Sequence, residues 1–329
     1  MQIQKPLIFF LFLFFGCLTV LAQTDDVIKI DSSIVRLNVG VADRQGRPVT
    51  NLNKENFTLF EDGAKQDILR FEPTAAPFSV VMLLDMSGST LGFREVIRQS
   101  AFRFIDALAP ADRIAVVEFN DKVNLRNDFT VNRKSIANSI ISANGRGKTQ
   151  LYKALDLALD KLSKEGSRRK AIIVLTDGAD SSLREIDRVF LEKVKEAEIP
   201  SAIKPENSDG FLKILGKSDA QGVTIYPLVL PTGDPAKLAE PTPIQTALYT
   251  ASRSRLEMLA ARTGGTFNAI NRLEDMGKIY ATVAADLRTL YTIEYAPTDT
   301  NRNGKWRAVK IEVDNAELIS RTRPGYFAR

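Results

Sequence analysis

The sequence predicts an α/β protein: a doubly wound, mostly parallel sheet with a second, smaller all-β sandwich-like domain built from both chain ends. Three observations carry that expectation. The runs Ser79–Asp85 and Ala171–Asp177 have continuously apolar interiors, as strands do when helices cover both faces of a sheet. Strand-like and helix-like patterns alternate between residues 78 and 290, which implies parallel pairing. The flanks 34–75 and 290–327 instead carry short strands, and neither flank alone makes a convincing core. The 329 residues suffice for about two domains of roughly 150 residues.

Each element has its own warrant. Val35, Leu37, Val39 and Val41 alternate with Arg36, Asn38 and Gly40, the period of a half-buried strand. Asp43–Gly46 is a turn. Phe57–Phe60 runs into Asp62-Gly63, a hairpin signal, and Ile68–Phe71 is the expected return strand. Pro73 and Pro77 mark a linker. After the first buried strand, a helix over 92–108 puts Ile97, Ala101, Phe104 and Ile105 on one face. Arg113–Phe119 is a second buried strand, with Lys122–Phe129 as an edge strand beside it. Helices are expected near 133–142 and over 150–163, the latter with Leu151, Ala154, Leu155, Ala158, Leu159 and Leu162 in register. Past Ala171–Asp177, helical stretches at 183–197 and about 208–220 lead to the strand Val223–Val229. The Pro-rich stretch 231–243 reads as a surface loop. A helix near 253–263, a strand Thr266–Ile270 and a helix over 273–289 close the unit. Tyr291, Ile293 and Tyr295 then share one strand face, and Val309, Ile311 and Val313 another. The expected divisions are a leader over 1–22, N-terminal strands over 23–77, the α/β domain over 78–290, and C-terminal strands over 291–329 that pair with 23–77.

The composition excludes several functions. Hydrophobic residues are 44% and charged residues 26%, the proportions of a globular chain. There is no histidine, which removes Ser-His-Asp and Cys-His catalysis and histidine-containing zinc sites. The single cysteine, Cys17, lies in an apolar run from Leu7 to Ala22 that follows Lys5. That run is shorter than the roughly 20 residues a spanning helix needs. With Val20-Leu21-Ala22 before Gln23, it reads as a signal peptide cleaved after Ala22, ahead of an uncleaved anchor or a lipid-modified Cys17. The mature chain is therefore expected to be periplasmic or secreted, without a stable membrane span and without thiols. A secreted chain lacking cysteine suits a bacterial envelope. The net charge of +5 is spread among interspersed acids and bases, so no nucleic-acid partner is expected. Arg168-Arg169-Lys170 reads as the solvated beginning of a strand rather than a phosphate-binding patch.

Three loops are expected at the C-terminal end of the parallel sheet, where such folds bind ligands. They are Asp85-Met86-Ser87-Gly88-Ser89 after the first buried strand, Gly145-Arg146-Gly147-Lys148-Thr149 before a helix, and Thr176-Asp177-Gly178 after a later strand. Asp85, Ser87, Ser89, Thr149 and Asp177 all offer oxygen, which suits a hard cation such as Mg2+, with Mn2+ or Ca2+ as alternatives. Two carboxylates only balance a divalent charge, so such an ion stays electrophilic and open to an incoming carboxylate.

The spaced combination Asp-x-Ser-x-Ser, Thr149 before Leu-Tyr-x-Ala-Leu, and Thr-Asp-Gly resembles the von Willebrand factor type A domain, a Rossmann-like fold, and its metal-ion-dependent adhesion site. The resemblance covers about residues 78–290. The flanks, with Asn56–Gly63 and Arg323–Phe327, resemble those of secreted bacterial relatives of that family. It implies direct metal binding by Ser87 and Ser89, and action mostly through bound water by Asp85 and Asp177. Thr149 would bind directly or through water. It further implies a protein partner that supplies a Glu or Asp. Thr90 stands where the family commonly has Met, which puts no ligand in doubt, and the stretch 198–222 looks longer than the usual connection.

Several neighbours are weighed against simpler readings. Asp180 reads as a solvated acid rather than a ligand, and Lys148 as an exposed lysine with a weak claim to an anionic partner. Asp299-Thr300-Asn301-Arg302-Asn303-Gly304 opens like a calcium-binding loop, but Lys310 stands where a bidentate Glu is needed, so a hairpin turn is expected. The expected function is therefore an extracytoplasmic adhesion module, not an enzyme. The alternatives are a structural envelope-assembly protein with an incidental metal, and, less favoured, a Mg2+-dependent hydrolase, for which no dedicated base is in sight.

Overall fold

A computed structural model describes residues 34–328; the expected leader, its Cys17 and the cleavage point after Ala22 lie outside the described residues. The centre is a six-stranded sheet. Its strands, in chain order, follow β1 (Val35–Asp43), β2 (Phe57–Glu61), β3 (Ala64–Gln66) and β4 (Arg70–Glu72). They are β5 (Phe78–Asp85), β6 (Arg113–Phe119), β7 (Val123–Thr130), β8 (Arg169–Thr176), β9 (Thr224–Val229) and β10 (Asn268–Ala269). The spatial order is β10-β9-β8-β5-β6-β7, parallel throughout except for the antiparallel edge strand β7.

Every residue of β5 and β8 is buried, because helices cover both faces. The strand period of two divides β5 between the layers. Val80, Met82 and Leu84 pack with α1 (Arg94–Ala107) and α8 (Met276–Thr289). Val81 and Leu83 pack on the opposite side with α3 (Leu151–Leu162), α6 (Asp209–Gln221) and α7 (Pro243–Thr263). The chain leaves β5 toward β6 on one side and returns through β8 on the other. The strand order thus reverses at β5, and a crevice forms beyond its C-terminal end.

Both ends of the described chain join a pair of four-stranded antiparallel sheets. With β11 (Leu290–Tyr295), β12 (Trp306–Val313), β13 (Leu318–Arg321) and β14 (Gly325–Phe327), the orders are β13-β1-β11-β4 and β14-β12-β2-β3. Val35 faces Tyr295 across β1 and β11, and Leu59 faces Ile311 across β2 and β12. Leu37, Val39, Leu59, Tyr291, Ile293 and Ile311 share one core between these sheets. Asn38, on the other face of β1, donates to Thr224 Oγ1 (2.8 Å) and so ties β1 to β9.

Five expectations need correction. Arg168-Arg169-Lys170 is not a solvated beginning: Arg169 is only 2% exposed and Lys170 is buried. The Arg169 guanidinium lies 4.0 Å over the Phe78 ring and donates to the carbonyls of Thr74 (2.7 Å), Ala76 and Leu290. It pins the linker before β5 and the α8–β11 junction to the sheet, and burial pushes its pKa down to about 10. The strand after the Asp62-Gly63 turn is Ala64–Gln66; Arg70–Glu72 crosses to the other sheet and pairs with β11. Asp299–Gly304 is not a hairpin turn, because β11 and β12 lie in different sheets and β11 is already paired on both edges. The helix expected near 253–263 begins at Pro243, where Thr242 and Gln245 form a reciprocal capping box.

The expected helix over 183–197 splits. Helix α4 (Ser181–Leu191) ends, and the chain folds back through α5 (Ile199–Ala202). Leu191, Val194, Ile199 and Ile203 then pack against Ala247 and Leu248 of α7.

Candidate metal centre

The three loops meet at the crevice beyond β5. Asp85, the last residue of β5, is fully buried. Its Oδ1 accepts from the Ser87 N–H (3.0 Å) and its Oδ2 from the Thr176 hydroxyl (2.7 Å). That second bond ties the end of β5 to the end of β8. The Ser87 and Ser89 hydroxyls lie 3.1 Å apart; Ser87 is buried and Ser89 is exposed. Thr90, the residue that departs from the family's Met, donates to the carbonyls of Asp85 (2.8 Å) and Ser87 (3.1 Å). It therefore braces the turn.

The second loop is joined to the first by the Gly88 N–H donating to the Gly147 carbonyl (3.0 Å). Gly147 has φ +83°, and a Cβ there would sit 2.1 Å from Asp121 Oδ2, so only glycine fits. That Asp121 carboxylate accepts the Lys148 N–H at 2.6 Å. Thr149 is buried; its N–H donates to Ser181 Oγ and its carbonyl accepts the Ser181 N–H, each at 2.9 Å. The second loop is thereby fixed to the start of α4, just after the third loop. Lys148 is exposed.

Asp177 is half-buried. Its Oδ1 accepts from the Ala179 N–H (3.1 Å) and its Oδ2 from the Thr232 hydroxyl (3.0 Å). Asp180 corrects an expectation: it is not a solvated acid but the buried cap of α4. Its Oδ1 accepts from the N–H groups of Ser182 (3.0 Å) and Leu183 (3.1 Å), and its Oδ2 from Tyr152 N–H (3.3 Å). With three backbone donors on its two oxygens, Asp180 serves the start of the helix.

Supporting residues emerge that the sequence did not flag. Thr176 was visible in Thr-Asp-Gly, yet its contact with Asp85 depends on the pairing of β5 with β8. Thr232 lies in the loop after β9 and has no local motif. Arg94 donates to the carbonyls of Met86 (3.1 Å) and Gly145, joining the first two loops from the α1 side.

Burial and a second carboxylate dominate the electrostatics at Asp85, with the Arg94 guanidinium acting on it through space. Burial first, and then the neighbouring Asp177 carboxylate, push the Asp85 carboxyl up to about 7. Its two hydrogen-bond donors are neutral and only partly offset that effect. Among the described residues no group of three or more Asp, Glu, His or Cys side chains gathers anywhere. The donors that the three loops offer are two carboxylates and neutral hydroxyls, a set that suits a hard cation. The oxygen-only donor set and an Asp85 carboxylate with no cation hydrogen-bonded to it both fit such an ion. The Asp299 loop does not: the Arg307 guanidinium already donates to the carbonyls of Asp299 and Asn301 and pairs with the Asp299 carboxylate (3.2 Å).

Residues 80–179 match the family model of the von Willebrand factor type A domain. No curated protein matches the chain. Similar solved structures include an aerotolerance-related membrane protein from Bacteroides fragilis, at 14% identity over 64% of this chain and 98% of that chain, TM-score 0.44. A von Willebrand factor type A protein from Catenulispora acidiphila is 13% identical over 92% of this chain and 64% of that chain, TM-score 0.49. The vWF domain of the type V pili tip protein Mfa5 from Porphyromonas gingivalis is 14% identical over 64% of this chain and 94% of that chain, TM-score 0.45. No described helix is long and apolar enough to cross a membrane. The residues that match the von Willebrand factor type A family model, 80–179, run from β5 through the loop after β8 and so include all three loops of the candidate site.

Proposed function

We propose that this protein is an extracytoplasmic binding module that captures a Glu or Asp carboxylate of a partner protein through Mg2+ held by Asp85, Ser87, Ser89, Thr149 and Asp177. The observation that carries this reading is the buried Asp85 carboxyl, whose hydrogen-bond donors are neutral and whose neighbour Asp177 adds a second negative charge, while the Arg94 guanidinium acts on it only through space and bonds instead to the Met86 and Gly145 carbonyls. A cation is the missing partner of that pair. Bound there, Mg2+ would supply a positive centre that accepts one further carboxylate oxygen.

The chain's own residues do the positioning. Thr176 and the Ser87 N–H fix the Asp85 carboxylate. Thr90 holds the turn that presents the Ser87 and Ser89 hydroxyls. Thr232 orients Asp177, and Ser181 holds the Thr149 backbone. Donors fixed in this way lose little entropy on binding. Calorimetric titration of the protein with Mg2+ tests this reading. Saturable binding that disappears in Asp85→Ala and in Asp177→Ala is the expected result. Heat unchanged in both variants, or partner capture that survives chelation, would point to the assembly role instead.

A further inference from the structure

Beside the site runs a groove of about 580 Å³, within the size range of specific binding clefts. It starts one residue from Thr149: Gln150 and Ser182, which flank the Thr149–Ser181 pair, both line it. Its far wall is the chain around Ile203–Gly210, part of the stretch whose length sets this chain apart from the family's usual connection. Its near wall is α4, a helix with an unusual distribution of residues. Among α4 residues only Asp187 and Leu191 are buried. Ile186 is 65% exposed and Phe190 49%, and both face the groove. Val189 beside them is 41% exposed. A bidentate pair between Asp187 and Arg255 of α7 (2.6 and 3.0 Å) anchors the helix, which leaves its large apolar side chains turned outward. Large apolar side chains clustered at a crevice mark an interaction surface.

The charges around the groove indicate its occupant. Two lining carboxylates are already engaged, Asp180 by backbone N–H groups and Asp187 by Arg255. Asp209 stands in the first turn of α6, where the helix dipole favours it. Lys153 and Lys204 line the groove, and Lys148 stands beside Thr149 and acts electrostatically on Glu185; all three lysines are exposed. The mouth is therefore apolar along its wall and cationic at its rim.

We infer that this groove takes a large apolar side chain from the same acidic peptide segment whose carboxylate reaches the metal. The partner is then an extended acidic segment with an aromatic or aliphatic anchor a few residues from its Glu or Asp. This inference rests on the proposed metal-bridged capture, and its test separates the two. The probes are synthetic peptides with one central Glu in a Gly/Ser/Asn background. One carries no apolar residue, and the others carry a single Phe at each offset on either side. Their binding to the protein is measured by fluorescence anisotropy with Mg2+ and with chelator.

The expected result is Mg2+-dependent binding of the Glu-only peptide, and at one offset a gain of roughly tenfold or more, the scale of one buried aromatic side chain. In Ile186→Ser/Phe190→Ser the two peptides bind alike. Both positions are exposed, so the variant should fold, which a thermal melt checks; Leu238→Ser, an exposed apolar change elsewhere, should keep the gain. Mg2+-dependent binding of Glu peptides with no gain at any offset overturns the groove and leaves the metal reading standing. A gain that survives in Ile186→Ser/Phe190→Ser also overturns the groove. No Mg2+-dependent binding by any peptide overturns both.

Discussion

Two buried carboxylates in this chain have opposite surroundings. Glu61, in the core between the two antiparallel sheets, accepts from the Tyr295 hydroxyl (2.6 Å), the Tyr326 hydroxyl (2.8 Å) and the Arg307 guanidinium (3.0 Å). Its counter-charge is built into the fold. Asp85, at the end of β5, is as deeply buried but has two neutral donors and a second carboxylate for company. The sandwich acid is a structural group, complete as folded. The crevice acid is a group whose environment calls for a cation from outside. Burial alone thus does not identify a functional acid; what distinguishes Asp85 is that no cation is hydrogen-bonded to it, the nearby Arg94 guanidinium being spent on backbone carbonyls.

Substitutions that reverse this difference give the clearest tests. The largest effect is expected for Arg307→Ala, which leaves Glu61 buried without its cation and should cost about 3–5 kcal/mol of stability in denaturant unfolding. Asp85→Asn should act in the opposite direction. Without divalent metal it should stabilise the fold by roughly 1–3 kcal/mol at neutral pH, since an unfavourable buried charge is removed, while abolishing Mg2+ binding.

The pH dependence follows from the same group. Asp85 is raised from the ordinary 3.8 to about 7 on folding. Between those values the native state holds a proton that the unfolded chain has released. The contribution of Asp85 to stability therefore falls as pH rises through that window and levels off above it. Mg2+ competes with that proton, so its affinity should rise with pH over the same interval, measurable by calorimetry at several pH values.

Smaller effects belong to the surrounding loops. Gly147→Ala must accommodate a Cβ 2.1 Å from the Asp121 carboxylate at φ +83°. A loss of about 1–2 kcal/mol and a weaker response to Mg2+ are expected, from thermal melts with and without the ion. Lys148→Ala is exposed and should shift stability by less than about 0.5 kcal/mol. It should weaken acidic-peptide binding by about threefold or less, and by less still at high salt.

The α/β class was legible because β5 and β8 are apolar from end to end, a pattern that demands cover on both faces. The three loops were legible because the short-range motifs at Asp85, Thr149 and Asp177 each abut a recognisable strand or helix. What escaped was set by distant contacts. Arg169 looked like a surface charge, yet the carbonyls it satisfies come from Thr74, Ala76 and Leu290. Asp180 looked solvated because its burial depends on Tyr152, a residue of another helix. Thr232 reaches Asp177 only because β9 lies next to β8. The early start of α7 was the exception: its Thr242-Pro243-x-Gln245 cap was readable, but the surrounding prolines suggested a loop.

The most direct test of the central claim is thermal stability against pH, with and without Mg2+, for the native chain and Asp85→Asn. The account predicts that the metal-free native chain loses stability relative to Asp85→Asn as pH rises from about 4 to about 7, and that saturating Mg2+ restores it at pH 8 while leaving Asp85→Asn unchanged. Parallel pH curves for the two proteins, with Mg2+ moving neither, would contradict it.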